Sequence, residues 1–268
     1  MSPKEIVFFR EWFDDYVKRF FPKDRDKRKI EIIKLKKEHT FRVCKEIVTI
    51  GKELNLGSSQ LLLAETIGLF HDIGRFEQFC KYGTFRDAKS ENHALLGVKI
   101  LKQVGILNGL SPEEQDIIYK AILYHNVRTL PPDEPPEHLF YAKLIRDADK
   151  LDILNVFINY YKTAKSSSDN TTIELDLPER PGYSLAIIKD ILNNRISDLN
   201  LMHTKNDMKL MLLSWVFDIN FLPALKVIYE RKYIEKIMQY LPNTEDVQKV
   251  RQHLGKYIAQ KLSNFHSA

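Results

Sequence analysis

Four histidines fall on the inward, apolar faces of four successive helical segments, and this placement constrains the fold more than anything else in the sequence. His39 shares a face with Ile32, Leu35 and Val43. His71 stands at the end of the run LLLAETIGLF and is followed directly by Asp72, where the chain turns on Gly74. His93 lies with Leu96, Gly97 and Ile100, and His125 with Ile118, Ala121 and Ile122. A fifth segment carries Asp147, Asp149 and Asp152 among Leu144, Ile145, Ala148, Leu151 and Leu154. A lone histidine on such a face is ordinarily a hydrogen-bonded core residue. Burying this many imidazoles and carboxylates with only one another for partners is costly. A metal ion removes that cost by accepting their lone pairs. Imidazole with carboxylate suits Fe, Mn, Zn, Co or Ni, and no thiolate biases the set toward structural zinc.

The segments that carry these residues read as helices. From Asp24 to Leu54, apolar residues recur at steps of three and four between Lys, Arg and Glu. Gly57-Ser58-Ser59 supplies a stop and a new N-cap, and a second helix ends near His71–Gly74. Glu91 to Val104 forms a third, closed by Gly105. Ser111-Pro112-Glu113-Glu114 opens a fourth with a cap, a proline at the first position and acids in the first turn; it runs to about Tyr124. Leu130–Pro136 holds four prolines and forms a loop. His138 to about Lys162 is a fifth helix. The polar stretch Ser166–Pro181 predicts an exposed loop with a short strand at Thr172–Leu175, and four or five more helices follow from Tyr183. The expected fold is all-α: one unit over 1–268, with a helical core at about 24–165 and a C-terminal helical extension at about 180–268.

Composition excludes other classes. With 44% hydrophobic and 29% charged residues, the chain is neither disordered nor repetitive. At 268 residues it can bury a substantial core without staples. Two cysteines, Cys44 and Cys80, cannot make a disulfide framework, which points to a reducing, cytoplasmic setting. The charged N-terminus is no secretory segment, and no apolar run approaches membrane-spanning length. A net charge of +5 helps attract a small anion but is too weak to argue for nucleic acid; the basic phrase KRKIEIIKLKKEH reads as a solvated helix face.

The order His39, His71-Asp72, Asp149 resembles the HD superfamily of metal-dependent phosphohydrolases, most specifically in LFHDIGR and DADKLDIL. The resemblance spans roughly residues 28 to 160. It implies an all-α fold with these helices converging on one metal centre. Periodicity alone leaves Asp147 and Asp149 undecided. The family's Ala-Asp-Lys/Arg-Leu pattern falls on Ala148-Asp149-Lys150-Leu151, which makes Asp149 the ligand and leaves Asp147 and Asp152 as solvated or supporting carboxylates. Two further histidines, His93 and His125, resemble the dinuclear branch. There His39, His71, Asp72 and Asp149 would bind one ion, Asp72 would bridge, and His93 and His125 would hold the second. Two ions about 3.5–4 Å apart would activate a hydroxide for attack on a phosphate ester.

The implied substrate is a small phosphorylated molecule such as a nucleotide, with Arg75 and Lys150 as cations for its oxygens. Arg86 and Lys89 are weaker candidates for that role, and Asp87 is a candidate orienter of a ligand histidine. His125 is followed by Asn126, and a Gly-Tyr-Pro signature is absent, which argues against a cyclic dinucleotide. The same six ligand types in the same order also match diiron oxygenases related to myo-inositol oxygenase, so that alternative stays open. His138, His203, His253 and His266 lack such company and are expected to face solvent. The aromatic-rich C-terminal part (Trp215, Phe217, Phe221, Tyr229, Tyr233, Tyr240) is spaced like helix core, to wall the pocket or support a homodimer.

Overall fold

The computed structural model describes residues 1–163, Glu174 and 177–263. Every regular element among them is helical, as expected. The strand expected at Thr172–Leu175 lies outside the described residues except for Glu174, and His266 lies outside them too. The chain divides into two compact units, Met1–Asp152 and Ile153–Ala268.

The first unit holds α1 (Pro3–Lys18), α2 (Lys27–Glu53), α3 (Ser58–Phe70), α4 (Gly74–Tyr82), α5 (His93–Val104), α6 (Pro112–Tyr124) and most of α7 (Pro136–Thr163). Local chemistry sets several of these ends. The Asp26 side chain accepts from the Lys29 amide to start α2. Asn92 caps α5 through the Ala94 and Leu95 amides, so that helix begins at His93 rather than Glu91. Ser111 and Glu114 form a reciprocal capping box on α6. Gly105, at φ +68°, closes α5 in the left-handed conformation.

Two elements were not anticipated from the sequence. α1 presents Phe9 to Phe70 and Phe13 to both Phe41 and Phe76, with ring centroids 5.6–5.8 Å apart. The turn at Gly74 does not end the helical region; it starts α4. Ile73 and Phe76 are buried on either side of that start.

Gly74 sits where α4 crosses α5. A Cβ there would lie 2.2 Å from the His93 carbonyl oxygen and 2.8 Å from the Gly97 nitrogen; at Gly97, facing it, a Cβ would meet Ile73 Cγ2 at 3.1 Å and the Gly74 nitrogen at 3.4 Å. Only a residue without a side chain lets these backbones approach, and the crossing sets His93 beside Asp72. Gly74→Ala is therefore expected to cost about 3 kcal/mol by overpacking. That corresponds to a Tm lower by roughly 6–12 °C in a thermal melt. An unchanged Tm would show that the crossing can open freely.

The second unit holds the end of α7, α8 (Leu185–Leu192), α9 (Lys205–Ser214), α10 (Leu222–Glu230), α11 (Tyr233–Met238) and α12 (Glu245–Ser263). Its core is mainly aliphatic: Ile187, Ile191, Leu210, Leu213, Ile237, Val250 and Leu254 are fully buried. The aromatic expectation is corrected here. Tyr233 is buried, Tyr229 is exposed, and Trp215, Phe217, Phe221 and Tyr240 are half-buried, because β-branched and leucine side chains take the interior positions. Buried Asp207 stitches this unit by accepting from the Ser184, His203 and Thr204 amides at 2.6, 2.9 and 2.9 Å. Among the described residues, no helix is long and apolar enough to cross a membrane.

Candidate metal centre

Five elements of the first unit deliver the residues. α2 carries His39, and the turn after α3 carries His71 and Asp72. α5 opens with His93, α6 ends against His125, and α7 supplies Asp149. His39, His71, Asp72, His93 and His125 are all buried.

The outward nitrogen of every one of these histidines is engaged. His39 Nδ1 faces Asp152 Oδ2 at 2.7 Å, and His71 Nδ1 donates to the Gly68 carbonyl at 2.8 Å. His93 Nδ1 lies 2.7 and 2.9 Å from the two Asp87 oxygens, and His125 Nδ1 donates to the Ile122 carbonyl at 2.6 Å. These partners are acceptors, so in the neutral imidazole the proton sits on Nδ1 and the Nε2 lone pair points to the centre.

The centre is built of acceptors facing acceptors. His39 Nε2 and Asp149 Oδ1 are 3.1 Å apart, and His71 Nε2 is 3.6 Å from the same oxygen. Yet all three atoms are buried without a hydrogen bond. His93 Nε2 and His125 Nε2 are 3.0 Å apart. Converging lone pairs of this kind repel unless a cation lies among them.

Asp72 divides the group. Its Oδ2 lies 3.6 and 3.7 Å from the Nε2 atoms of His39 and His71, and its Oδ1 lies 3.3 and 3.8 Å from those of His93 and His125. Two triads result, His39-His71-Asp72 and Asp72-His93-His125, each with ligand atoms within 4.8 Å of one another, and each could hold a metal ion.

The charges suit that use. Burial pushes the Asp72 carboxyl toward its neutral form, but Lys36, His71 and Arg75 together hold it well below the ordinary carboxylate range. Burial likewise opposes the Asp149 charge, and its contacts with His39 and His71 keep it low. Burial, reinforced by Arg75, lowers His93 to about 4. His39 moves the other way: burial and Lys36 press it down, but Asp149 and Asp152 carry it above its ordinary 6.5. The signs give a pH profile for the metal-stripped protein. Between pH 6.5 and about 4, the unfolded chain holds a proton at His93 that the native chain lacks, so stability falls as pH drops. Above pH 6.5 the native chain holds the extra proton at His39, so stability falls as pH rises through its folded value. In EDTA, Tm is expected to peak near pH 6.5, and His93→Gln should flatten the acid limb. A limb of unchanged slope in that variant would assign the acid sensitivity elsewhere.

The structure places the supporting residues named from the sequence. Asp152 is buried and orients His39, and Arg42 holds it with Nε at 2.6 Å. Asp147 is fully buried and is not a solvated acid. Asp87 does face a ligand histidine. Arg75 lies beside the centre, with Nε 3.3 Å from Asp72 Oδ1. Lys150 is half-buried next to Asp149. Arg86 is half-buried and Lys89 exposed, and neither is ion-paired with the six candidate ligands. His203 is exposed as expected, whereas His138 pairs with Asp116 at 3.2 Å and His253 with Asn194 at 2.9 Å.

Lys36 and Arg146 are among the residues that escaped the sequence reading. Lys36 Nζ lies 2.6 Å from Asp72 Oδ2. The signal was its position three residues before His39, on the same helix face, but the surrounding basic run suggested solvent. Buried Arg146 donates through Nη1 to the carbonyls of Tyr124, His125 and Val127, closing the end of α6 at His125. No local pattern announces that contact.

A protein-family model described as the HD domain matches residues 37–154, a span that contains all six candidate ligands together with Asp87, Arg146 and Asp152. HD domains are in general metal-dependent hydrolases. No curated protein and no solved structure matches the chain significantly.

Proposed function

We propose, from the premise that residues 37–154 form an HD domain, that this chain is a phosphohydrolase with a two-ion centre, acting on a small phosphate ester such as a nucleotide. The observation that carries the reading is the division of Asp72, whose two oxygens face two separate histidine pairs. His39, His71, Asp149 and Asp72 Oδ2 would hold one ion; His93, His125 and Asp72 Oδ1 would hold the other. Ions bound there supply Lewis acidity and bring the pKa of a water near neutrality.

The chain's own residues do the rest. The four Nδ1 contacts keep the imidazoles oriented with bare Nε2 atoms inward. Lys36 contacts Asp72 and the Phe85 ring, and its ammonium is placed to meet a phosphoryl oxygen entering beside Asp72. Lys150, adjoining Asp149, is the second proposed cation.

The test is phosphate release under anaerobic conditions from a panel of nucleotides and sugar phosphates, with added Mn²⁺ or Fe²⁺. Turnover without oxygen is the expected result. No release from any ester by an iron-filled protein, together with oxygen-dependent oxidation of a polyol, would replace this reading with a diiron oxygenase.

A further inference from the structure

The two halves of the centre are not built alike, and we propose that Asp87, clasped by Arg75, is the positioning residue that sets how tightly the ion between His93 and His125 is held. This rests on the two-ion reading above. On the other side, the partners that orient His39 and His71 come from helices: Asp152 of α7 and the Gly68 carbonyl of α3. His93 is instead oriented by Asp87, which opens a 3₁₀ turn of three residues, Asp87–Lys89. So short a turn has little backbone bonding to hold it in place.

Side chains of α4 hold it. Arg75 Nη1 donates to Asp87 Oδ1 at 2.9 Å and to the Phe85 carbonyl at 2.5 Å. Gln78, fully buried, donates from Nε2 to Asp87 Oδ1, Ser90 Oγ and the Glu91 carbonyl at 2.8, 2.9 and 2.8 Å. Arg75 also reaches Asp72 Oδ1, the oxygen that faces His93 and His125. One guanidinium therefore ties the shared carboxylate to the carboxylate that aims His93. With its Nε and Nη1 engaged by these protein acceptors, Arg75 acts on the site through them.

The His93 side also offers fewer protein ligands: Asp72, His93 and His125, against His39, His71, Asp72 and Asp149 on the other. A smaller ligand set, one member of which is aimed from a short turn, makes this the weaker and more readily exchanged ion. Losing the partner that orients a ligating histidine lowers metal affinity by roughly 10–100-fold.

The experiment is a Co²⁺ titration of the metal-stripped full chain, followed by calorimetry and by the visible d–d bands. Wild type is expected to take up two ions, the second more weakly. Asp87→Ala should weaken the second by roughly 10–100-fold and leave the first within about twofold. Asp87→Asn keeps an acceptor for His93 but no charge for Arg75, and should fall between. Arg75→Gln should weaken the second ion alone. Melts of the stripped variants report whether each folds. Both ions unaffected in Asp87→Ala, or both weakened alike, overturns the proposal. So does an Arg75→Gln protein with intact affinities and a raised KM for a phosphate ester. A wild type that binds one ion in all overturns the two-ion reading itself, and that result is seen before any variant is made.

Discussion

Asp72→Ala is expected to empty the protein of metal and to abolish hydrolysis in the same step. Asp72 belongs to both triads, so its loss removes an anionic ligand from each. It also leaves Lys36 and Arg75 beside the imidazoles without the carboxylate they share. A second cation source next to a site built to accept one is repulsive, and the remaining histidines cannot offset it. The measurement is metal content per chain by elemental analysis, beside phosphate release. Content should fall to background while circular dichroism stays helical, because Lys36 is 19% exposed and can turn its ammonium to solvent. Retained metal with retained turnover would show that Asp72 is not the shared ligand, and the two-ion reading would fall with it.

His125→Gln is expected to do something different: to remove one ion and keep the other. His39, His71, Asp149 and Asp72 Oδ2 are untouched by the change, whereas His93 is left with only Asp72 Oδ1. Metal content should drop from about two per chain to about one. Losing one ion's Lewis acidity removes several kcal/mol of charge stabilisation, so turnover should fall on the order of 10³-fold. An unchanged stoichiometry would place His125 outside the ligand set. Loss of both ions would mean that the two positions do not fill independently.

The four candidate histidines were legible in the sequence for a specific reason, whereas Asp149 was separated from Asp147 by the family resemblance and not by periodicity. A histidine spaced with Ile and Leu at three and four residues must face inward, and an inward imidazole needs a partner. Helix ends were legible on the same local footing, as Ser111 with Glu114 and Gly105 show. Lys36 was legible in principle, since its spacing from His39 puts both on one face, but charge composition argued the other way. Its ammonium stays inside because Asp72 is there to receive it, and Asp72 is thirty-six residues away. Asp152 could be read as an acid near the site but not as the partner of His39, because periodicity gives a face and not an acceptor. α1 went unread because its aromatic stripe has meaning only against Phe41, Phe70 and Phe76.

By itself, the sequence determined an all-helical chain and the chemistry of its buried face, because helix periodicity and capping act over three or four residues and are written locally. Only the tertiary structure decided which oxygen of Asp72 meets which histidine pair, that Asp87 aims His93, and that Arg146 closes α6 behind His125. Those relations depend on how helices cross, and the crossing of α4 on α5 hangs on a Cβ that Gly74 does not have.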